Sequence, residues 1–88
     1  MNQKLVNILL VEDDEVDVMN VKRAFSKNNI MNPLFVAGNG IEALEMLESK
    51  IIPLPKIIIL DINMPKMNGI EFLKIMRENE KLKNISVF

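Results

Sequence analysis

Three acidic side chains follow two of the most apolar runs in the sequence. Glu12 and Asp13 come directly after the run 5–11, and Asp61 comes directly after the run 57–60. Apolar runs without alternating polar residues are typical of parallel strands that are buried on both faces. Open α/β sheets carry their functional residues at the carboxyl ends of such strands. If the two strands are neighbours, the three carboxylates meet at one edge; otherwise Asp61 merely caps a loop.

The chemistry available to such a cluster is limited by the residues that the chain lacks. Two unit charges ~4 Å apart repel by ~4 kcal/mol at an effective dielectric constant near 20, so three gathered carboxylates favour a divalent cation. The sequence contains no His and no Cys, which leaves oxygen ligands and points to Mg²⁺ or a similar hard ion. A carboxylate beside Mg²⁺ can attack a phosphoryl group in line, and Asp61, alone at its strand end, is the better candidate nucleophile.

Composition restricts the other possibilities. The chain has 88 residues, of which 49% are hydrophobic and 26% charged, and its net charge is −1; this profile predicts one small globular domain. No block of basic residues indicates binding to nucleic acid or to an anionic membrane. The apolar start runs into acids without a signal-peptide cleavage site, and prolines and a lysine interrupt the longest apolar stretch, 51–60. We therefore expect a soluble cytoplasmic protein.

Strand and helix patterns alternate along the whole chain. Apolar runs at 5–11, 33–37, 57–60 and 84–88 predict strands, and helical spacing predicts helices after Asp14, after the turn 38–40 and from Gly69. Asp14 is the expected N-cap of the first helix, which should end at 28–29. The turn 38–40 could cradle a phosphate, but two glycines alone favour a tight turn. The alternation predicts a parallel sheet with right-handed crossovers.

The helices should bury one side each. The first helix is expected to bury an apolar face, formed by Val18, Met19, Val21 and Phe25. In the third helix the spacing predicts a buried stripe, formed by Ile70, Leu73 and Met76 and broadened by Phe72. The charged residues near this stripe should form only a solvated face: Lys74, Arg77, Glu78 and Lys81.

The segment 9–14, Leu-Leu-Val-Glu-Asp-Asp, and the segment 58–69, Ile-Ile-Leu-Asp-Ile-Asn-Met-Pro-Lys-Met-Asn-Gly, together resemble the receiver domain of two-component response regulators. The longer connection 51–56 resembles single-domain regulators that partner phytochrome-type histidine kinases. The resemblance implies a flavodoxin-like, doubly wound parallel sheet with strand order 2-1-3-4(-5). It also implies a phosphorelay in which a histidine kinase or phosphotransfer protein supplies the phosphoryl group.

The resemblance further assigns roles at the site. Asp61 would be the phosphoacceptor and would help to bind Mg²⁺. Asp13 would ligate the ion directly, Glu12 would act largely through a metal-bound water, and the main-chain carbonyl of Asn63 would supply another ligand. Gly69 would shape the loop. The domain would catalyse only its own phosphorylation and dephosphorylation, and would bind neither nucleic acid nor membrane.

The sequence departs from the family pattern at its end. Residues 1–88 correspond to the N-terminal three-quarters of a receiver, without the hydroxyl residue after the fourth strand and the lysine after the fifth. Ser86 lies within the predicted fourth strand, and Lys66 is expected to point to solvent. An incomplete sheet would expose an edge at 85–88, which favours a strand-paired or swapped homodimer.

Two other functions are compatible with a strand-end aspartate. A Mg²⁺-dependent phosphohydrolase of the haloacid-dehalogenase type would require a second acid where this chain has Asn63. A receiver-like interaction module that is never phosphorylated would fit the missing hydroxyl and lysine, but not the presence of Glu12, Asp13 and Asp61.

Overall fold

The computed structural model describes residues 5–61 and 69–88, and it confirms the alternation of strands and helices. The elements are β1 (Ile8–Val11), α1 (Glu15–Lys27), β2 (Leu34–Ala37), α2 (Gly40–Glu48), β3 (Ile57–Leu60), α3 (Gly69–Glu78) and β4 (Ser86–Val87). β3 coincides with its predicted run, whereas β1, β2 and β4 are shorter than the apolar runs that contain them. The connection 51–56 contains no helix or strand.

The four strands form one parallel sheet with the order β2-β1-β3-β4. This is the predicted order, and it places β1 between β2 and β3. Val11 is opposite Ala37 on one side and Leu60 on the other. The carboxyl ends of the two strands that precede the acidic residues are therefore level with each other and adjacent.

The core lies mainly between the sheet and the helices α2 and α3. Leu9, Val11 and Ile58 are fully buried on that face, and Phe72 and Met76 of α3 pack against them without any exposed surface. Because the strands pair in register, the side chains of paired residues point to the same face of the sheet. This face therefore forms one continuous apolar layer. Each fully buried side chain of this kind contributes roughly 1.5–3 kcal/mol to folding.

Helix α1 buries less of its surface than its sequence pattern predicts. None of its residues is fully buried; Val18, Val21 and Phe25 are half-buried, and Met19 is 51% exposed. The expectation was wrong for Met19. Within the described residues, no second helix packs beside α1 to cover the sides of its apolar stripe.

The predicted stripe of α3 also needs one correction. Ile70 is 67% exposed, and the buried residues of the helix are Gly69, Phe72 and Met76, with Leu73 half-buried. Positions three and four residues apart lie on the same side of a helix, so Gly69, Phe72 and Met76 share one side. This side, which carries the aromatic ring, packs against the sheet.

The helix ends follow the predicted local chemistry. Asp14 caps α1, with its Oδ1 accepting a hydrogen bond of 2.8 Å from the Val16 N–H. Asn39 caps α2 in the same way by accepting from the Glu42 N–H at 2.8 Å. The segment 38–40 is therefore a strand-to-helix turn, which confirms the prediction of a tight turn.

The charged residues predicted to form a solvated face of α3 are exposed, but Arg77 does more than meet solvent. Its Nη1 donates a hydrogen bond of 2.7 Å to the carbonyl of Lys83 and a longer one of 3.5 Å to that of Ile85. The guanidinium thus ties the end of α3 to the segment that leads into β4. No helix within the described residues is long and apolar enough to cross a membrane.

Candidate functional site

The sheet holds the backbone of the acidic residues at its carboxyl edge. The Asp61 N–H donates to the carbonyl of Val11 at 3.2 Å, and the Glu12 N–H donates to that of Ala37 at 3.0 Å. The hydrogen-bonding ladder therefore continues one residue beyond both β1 and β3. Side chains at these positions have a rigid backbone beneath them, which favours a preorganised site.

The structure brings together the three carboxylates that the sequence predicted to converge. One oxygen from each of Glu12, Asp13 and Asp61 lies within 4.8 Å of the other two. The environments differ: Glu12 is 8% exposed, Asp61 is half-buried and Asp13 is exposed. The cluster therefore presents two partly enclosed carboxylates and one that is open to solvent.

Burial raises the pKa of Glu12 from 4.5 to about 7. The removal of water from its carboxylate is the largest cause; the negative charge of Asp61, a side-chain hydrogen bond with Asp61 and the charge of Asp17 add to it. A hydrogen bond of 3.2 Å from the Asp14 N–H to Glu12 Oε1 opposes the rise, because it favours the ionised form. The negative charge of Asp61 beside this buried carboxyl is thus one reason why Glu12 releases its proton less readily than an exposed glutamate does.

The same arrangement fits a hard divalent cation. Its donors are all oxygens, which Mg²⁺, Mn²⁺ and Ca²⁺ prefer, and it includes neither nitrogen nor sulfur. A cation between the carboxylates would offset the repulsion by Asp61, which adds to the effect of burial on the pKa of Glu12. The geometry and electrostatics of the cluster are those of a site that gains stability when it binds positive charge.

Other residues near the cluster have separate roles. Asp14 uses its carboxylate to cap α1, as expected, and lies outside the cluster. Asn63, Met64, Pro65 and Lys66 lie outside the described residues. The sequence analysis did not predict that the charge of Asp17 would act on Glu12. The repulsion could have been anticipated, because Asp17 lies in the first turn of the helix that follows Glu12.

A doubly wound parallel sheet with this strand order and an acidic carboxyl edge defines a flavodoxin-like α/β domain. Residues 8–88 match the family model of the response regulator receiver domain. The response regulator Rcp1 of Synechocystis sp. is 36% identical over 84 residues, which cover 91% of this chain and 57% of Rcp1. The chain thus spans a little over half the length of that relative.

Solved structures agree with the family match. The bacteriophytochrome response regulator AtBRR superposes with a TM-score of 0.86 at 32% identity, covering 97% of this chain and 65% of its own. The phosphorylated cyanobacterial phytochrome response regulator RcpA gives 0.86 at 28% identity, covering 96% and 63%. The Mn²⁺-bound form of Rcp1 gives 0.84 at 34% identity, covering 93% and 62%.

The chain belongs to the response regulator receiver domain family of two-component signalling. Receiver domains take their signal from histidine kinases and bind a divalent metal ion, and the acidic cluster of this chain is suited to one.

Proposed function

We propose that this chain is a phosphoacceptor, in which Asp61 takes a phosphoryl group from a phosphohistidine of a histidine kinase or phosphotransfer protein. The observation that carries the proposal is the meeting of Asp61 with Glu12 and Asp13 at the carboxyl edge of the sheet. A carboxylate there is held by a rigid strand end and is half-buried, which leaves one side accessible to a phosphoryl donor.

In the proposed transfer, one bond to phosphorus forms as another breaks. A carboxylate oxygen of Asp61 attacks phosphorus as the bond from phosphorus to the histidine nitrogen breaks, and the product is an acyl phosphate. Water later attacks the same phosphorus, which releases inorganic phosphate and restores the carboxylate. The attacking oxygen of Asp61 must be unprotonated in this step.

Mg²⁺ is the proposed cation, and it would neutralise the phosphoryl oxygens during transfer. Asp13 would bind it directly and Glu12 largely through water, with Asp61 and the carbonyl of Asn63 as the other protein ligands. The exposed position of Asp13 supports its assignment, because its carboxylate is open to an ion from solvent. The Mn²⁺-bound form of Rcp1 supports a divalent ion in this class of site.

The partners follow from the relatives. Both AtBRR and RcpA are described as phytochrome response regulators, so a phytochrome-type histidine kinase is the proposed phosphoryl donor. The proposal includes a cytoplasmic location and no binding of nucleic acid or membrane by this domain. It describes a signalling domain that catalyses only its own phosphorylation and dephosphorylation, and whose phosphorylation switches partner binding in the intact protein.

Labelling with a small acyl phosphate donor tests the proposal. We expect one phosphoryl group per chain by mass spectrometry, dependent on Mg²⁺ and absent in Asp61→Asn. Glu15→Gln, which removes an exposed acid outside the cluster, is the matched control and should label normally. Labelling that persists in Asp61→Asn or in chelator would refute the assignment.

The same samples separate the two alternatives. A phosphohydrolase of the haloacid-dehalogenase type would release many equivalents of phosphate from a phosphomonoester, whereas we expect no such turnover. An interaction module that is never phosphorylated would show no label with wild-type chain and Mg²⁺. Either result would replace the phosphoacceptor function.

A further inference from the structure

A groove opens at the amino edge of the sheet, at the opposite end of the strands from the acidic cluster. It lies between the segment 47–54, which ends α2 and leads towards β3, and the segment 79–82, which follows α3. Its volume is about 940 Å³. Sites for small ligands in proteins commonly occupy roughly 300–1,000 Å³, so this groove is large enough for one.

The groove is aliphatic. Leu47, Ile52 and Leu82 belong to the buried core and line it, while Ile51 and Leu54 leave 72% and 53% of their surface exposed. Two large aliphatic side chains exposed on neighbouring loop positions cost free energy in water, and their burial against a ligand would recover it.

Two lysines and two glutamates line the described part of this groove, and another lysine lies in a neighbouring cleft. Lys50 and Lys81 line the groove, and a smaller cleft that shares Leu54 and Lys81 with it adds Lys56. None of these three ammonium groups has an ion pair among the described residues. Of the acids that line the groove, Glu80 is paired with Lys83 at 2.8 Å, which leaves Glu48 to oppose three cations.

Asn79 is the one side-chain amide among the described residues that line the groove. Its Oδ1 atom already accepts a hydrogen bond of 2.9 Å from the Lys81 N–H. A ligand therefore meets aliphatic walls and two ammonium groups, with the carboxylates of Glu48 and of the ion-paired Glu80 nearby. An aliphatic chain that ends in a carboxylate matches the aliphatic walls and the ammonium groups.

We propose that this groove binds an anionic amphiphile of the free fatty acid class, with its chain against Ile51 and Leu54 and its carboxylate near Lys50 and Lys81. The site is separate from the acidic cluster and does not depend on the phosphoacceptor function. It would give the domain a second input, at the end of the sheet remote from Asp61.

Titration of the isotope-labelled chain with sodium decanoate, below the concentration at which it forms micelles, tests this by NMR. We expect saturable amide shifts confined to 47–54, 79–82 and their neighbours. Decyltrimethylammonium, which has the same chain with a positive head group, should bind more weakly. Each exposed charge pair contributes only modestly to binding. The double variant Lys50→Glu, Lys81→Glu should therefore weaken the binding of decanoate by about tenfold.

A matched pair of variants examines the apolar wall. Ile51→Glu should abolish saturable binding, whereas Ile70→Glu should bind as the wild type does; Ile70 is similarly exposed, at 67%, but lies on α3 outside the groove. Scattered or unsaturable shifts, equal binding of both head groups, or no effect of Ile51→Glu would overturn the proposal. The proposal would also fail if decanoate did not bind but a synthetic acidic amphipathic peptide bound saturably in the same groove. That result would identify the groove as a protein-docking surface.

Discussion

At the scale of single residues, Glu12 connects the electrostatics of the site with its cation. Its carboxyl is buried beside that of Asp61, and its pKa, raised to about 7, means that Glu12 takes up a proton as the pH falls through neutrality. Proton and cation compensate the same negative charge. Binding of one must therefore oppose binding of the other, which makes metal affinity dependent on pH.

The raised pKa of Glu12 predicts how stability changes with pH. Between pH 4.5 and about 7 the folded state keeps a proton on Glu12 that the unfolded chain releases, so the free energy of unfolding falls as pH rises through this window. The loss from this group is at most about 3 kcal/mol. Urea denaturation at several pH values should show it without metal, and Mg²⁺ should restore stability at pH 8 far more than at pH 5.

Glu12→Gln provides the control, because it keeps the shape of the side chain and cannot ionise. The variant should lose the part of the pH dependence that lies between 4.5 and 7, while the titration of all other acids is retained. An identical pH profile for wild type and Glu12→Gln would contradict the burial-induced rise of this pKa.

The two acids after β1 should contribute unequally to the cation. A directly bound carboxylate contributes charge and a bond, whereas one that acts through water contributes mainly charge, so Asp13→Ala should weaken Mg²⁺ binding about tenfold more than Glu12→Ala does. Calorimetric titration of both variants measures the difference, with Glu15→Ala as the control for loss of a nearby acid. Equal losses would show that the proposed division of roles is wrong.

At the scale of elements, the cap of α1 separates a structural acid from the acids of the site. Asp14→Ala removes the hydrogen bond to the Val16 N–H and should lower the free energy of unfolding by about 1 kcal/mol. Mg²⁺ affinity should stay within about twofold of wild type, because the Asp14 carboxylate is exposed, accepts a hydrogen bond from the Val16 N–H and lies outside the cluster. Denaturation and metal titration of one variant test both statements, and a large loss of affinity would place Asp14 in the cation site.

The end of α2 carries a strained residue. Lys50 follows the C-cap Ser49 and has φ 58°, in the left-handed region that L-residues with a side chain avoid. A glycine at this position carries no such penalty, so Lys50→Gly should stabilise the fold by about 1 kcal/mol. Lys50→Ala is the control, since it removes the charge but keeps a Cβ, and should give no comparable gain. Equal stability of the two variants in urea would refute the strain.

The elements also show which features the sequence could predict. β3 was identifiable because its apolar run ends at an acid; the parallel sheet followed from the alternation, and the strand order from the resemblance to receivers. The buried side of α3 was not: Ile70, Phe72, Leu73, Ile75 and Met76 give two possible stripes, and only packing against the sheet selects one. The groove was equally hidden, since it joins connections at 47–54 and 79–82 that contact each other only in the fold.

At the scale of the whole molecule, large apolar side chains stay exposed at the edges of the described fold. Val16 on α1 is 64% exposed, and Phe88 beside β4 is 77% exposed. The polypeptide Met1–Phe88 studied by itself therefore has reason to associate, and a strand-paired dimer through β4 is the form we propose.

The backbone of β4 makes this dimer testable. Ser86 and Phe88 donate their N–H groups to Lys56 and Ile58, so the intervening Val87 presents its N–H to the outer edge of the sheet. Val87→Pro removes this donor without breaking a bond to β3, and proline at an edge blocks strand addition.

Light scattering over a range of concentrations should show wild-type chain moving from monomer to dimer and Val87→Pro staying monomeric. Val87→Ala is the matched control: it loses a similar amount of the packing against the core but keeps the N–H, so it should still dimerise. A dimer that survives in Val87→Pro would place the interface elsewhere, with the exposed face of α1 as the next candidate. A wild-type chain that stays monomeric would show that the exposed edge of β4 is too short, at two residues, to pair with a second copy.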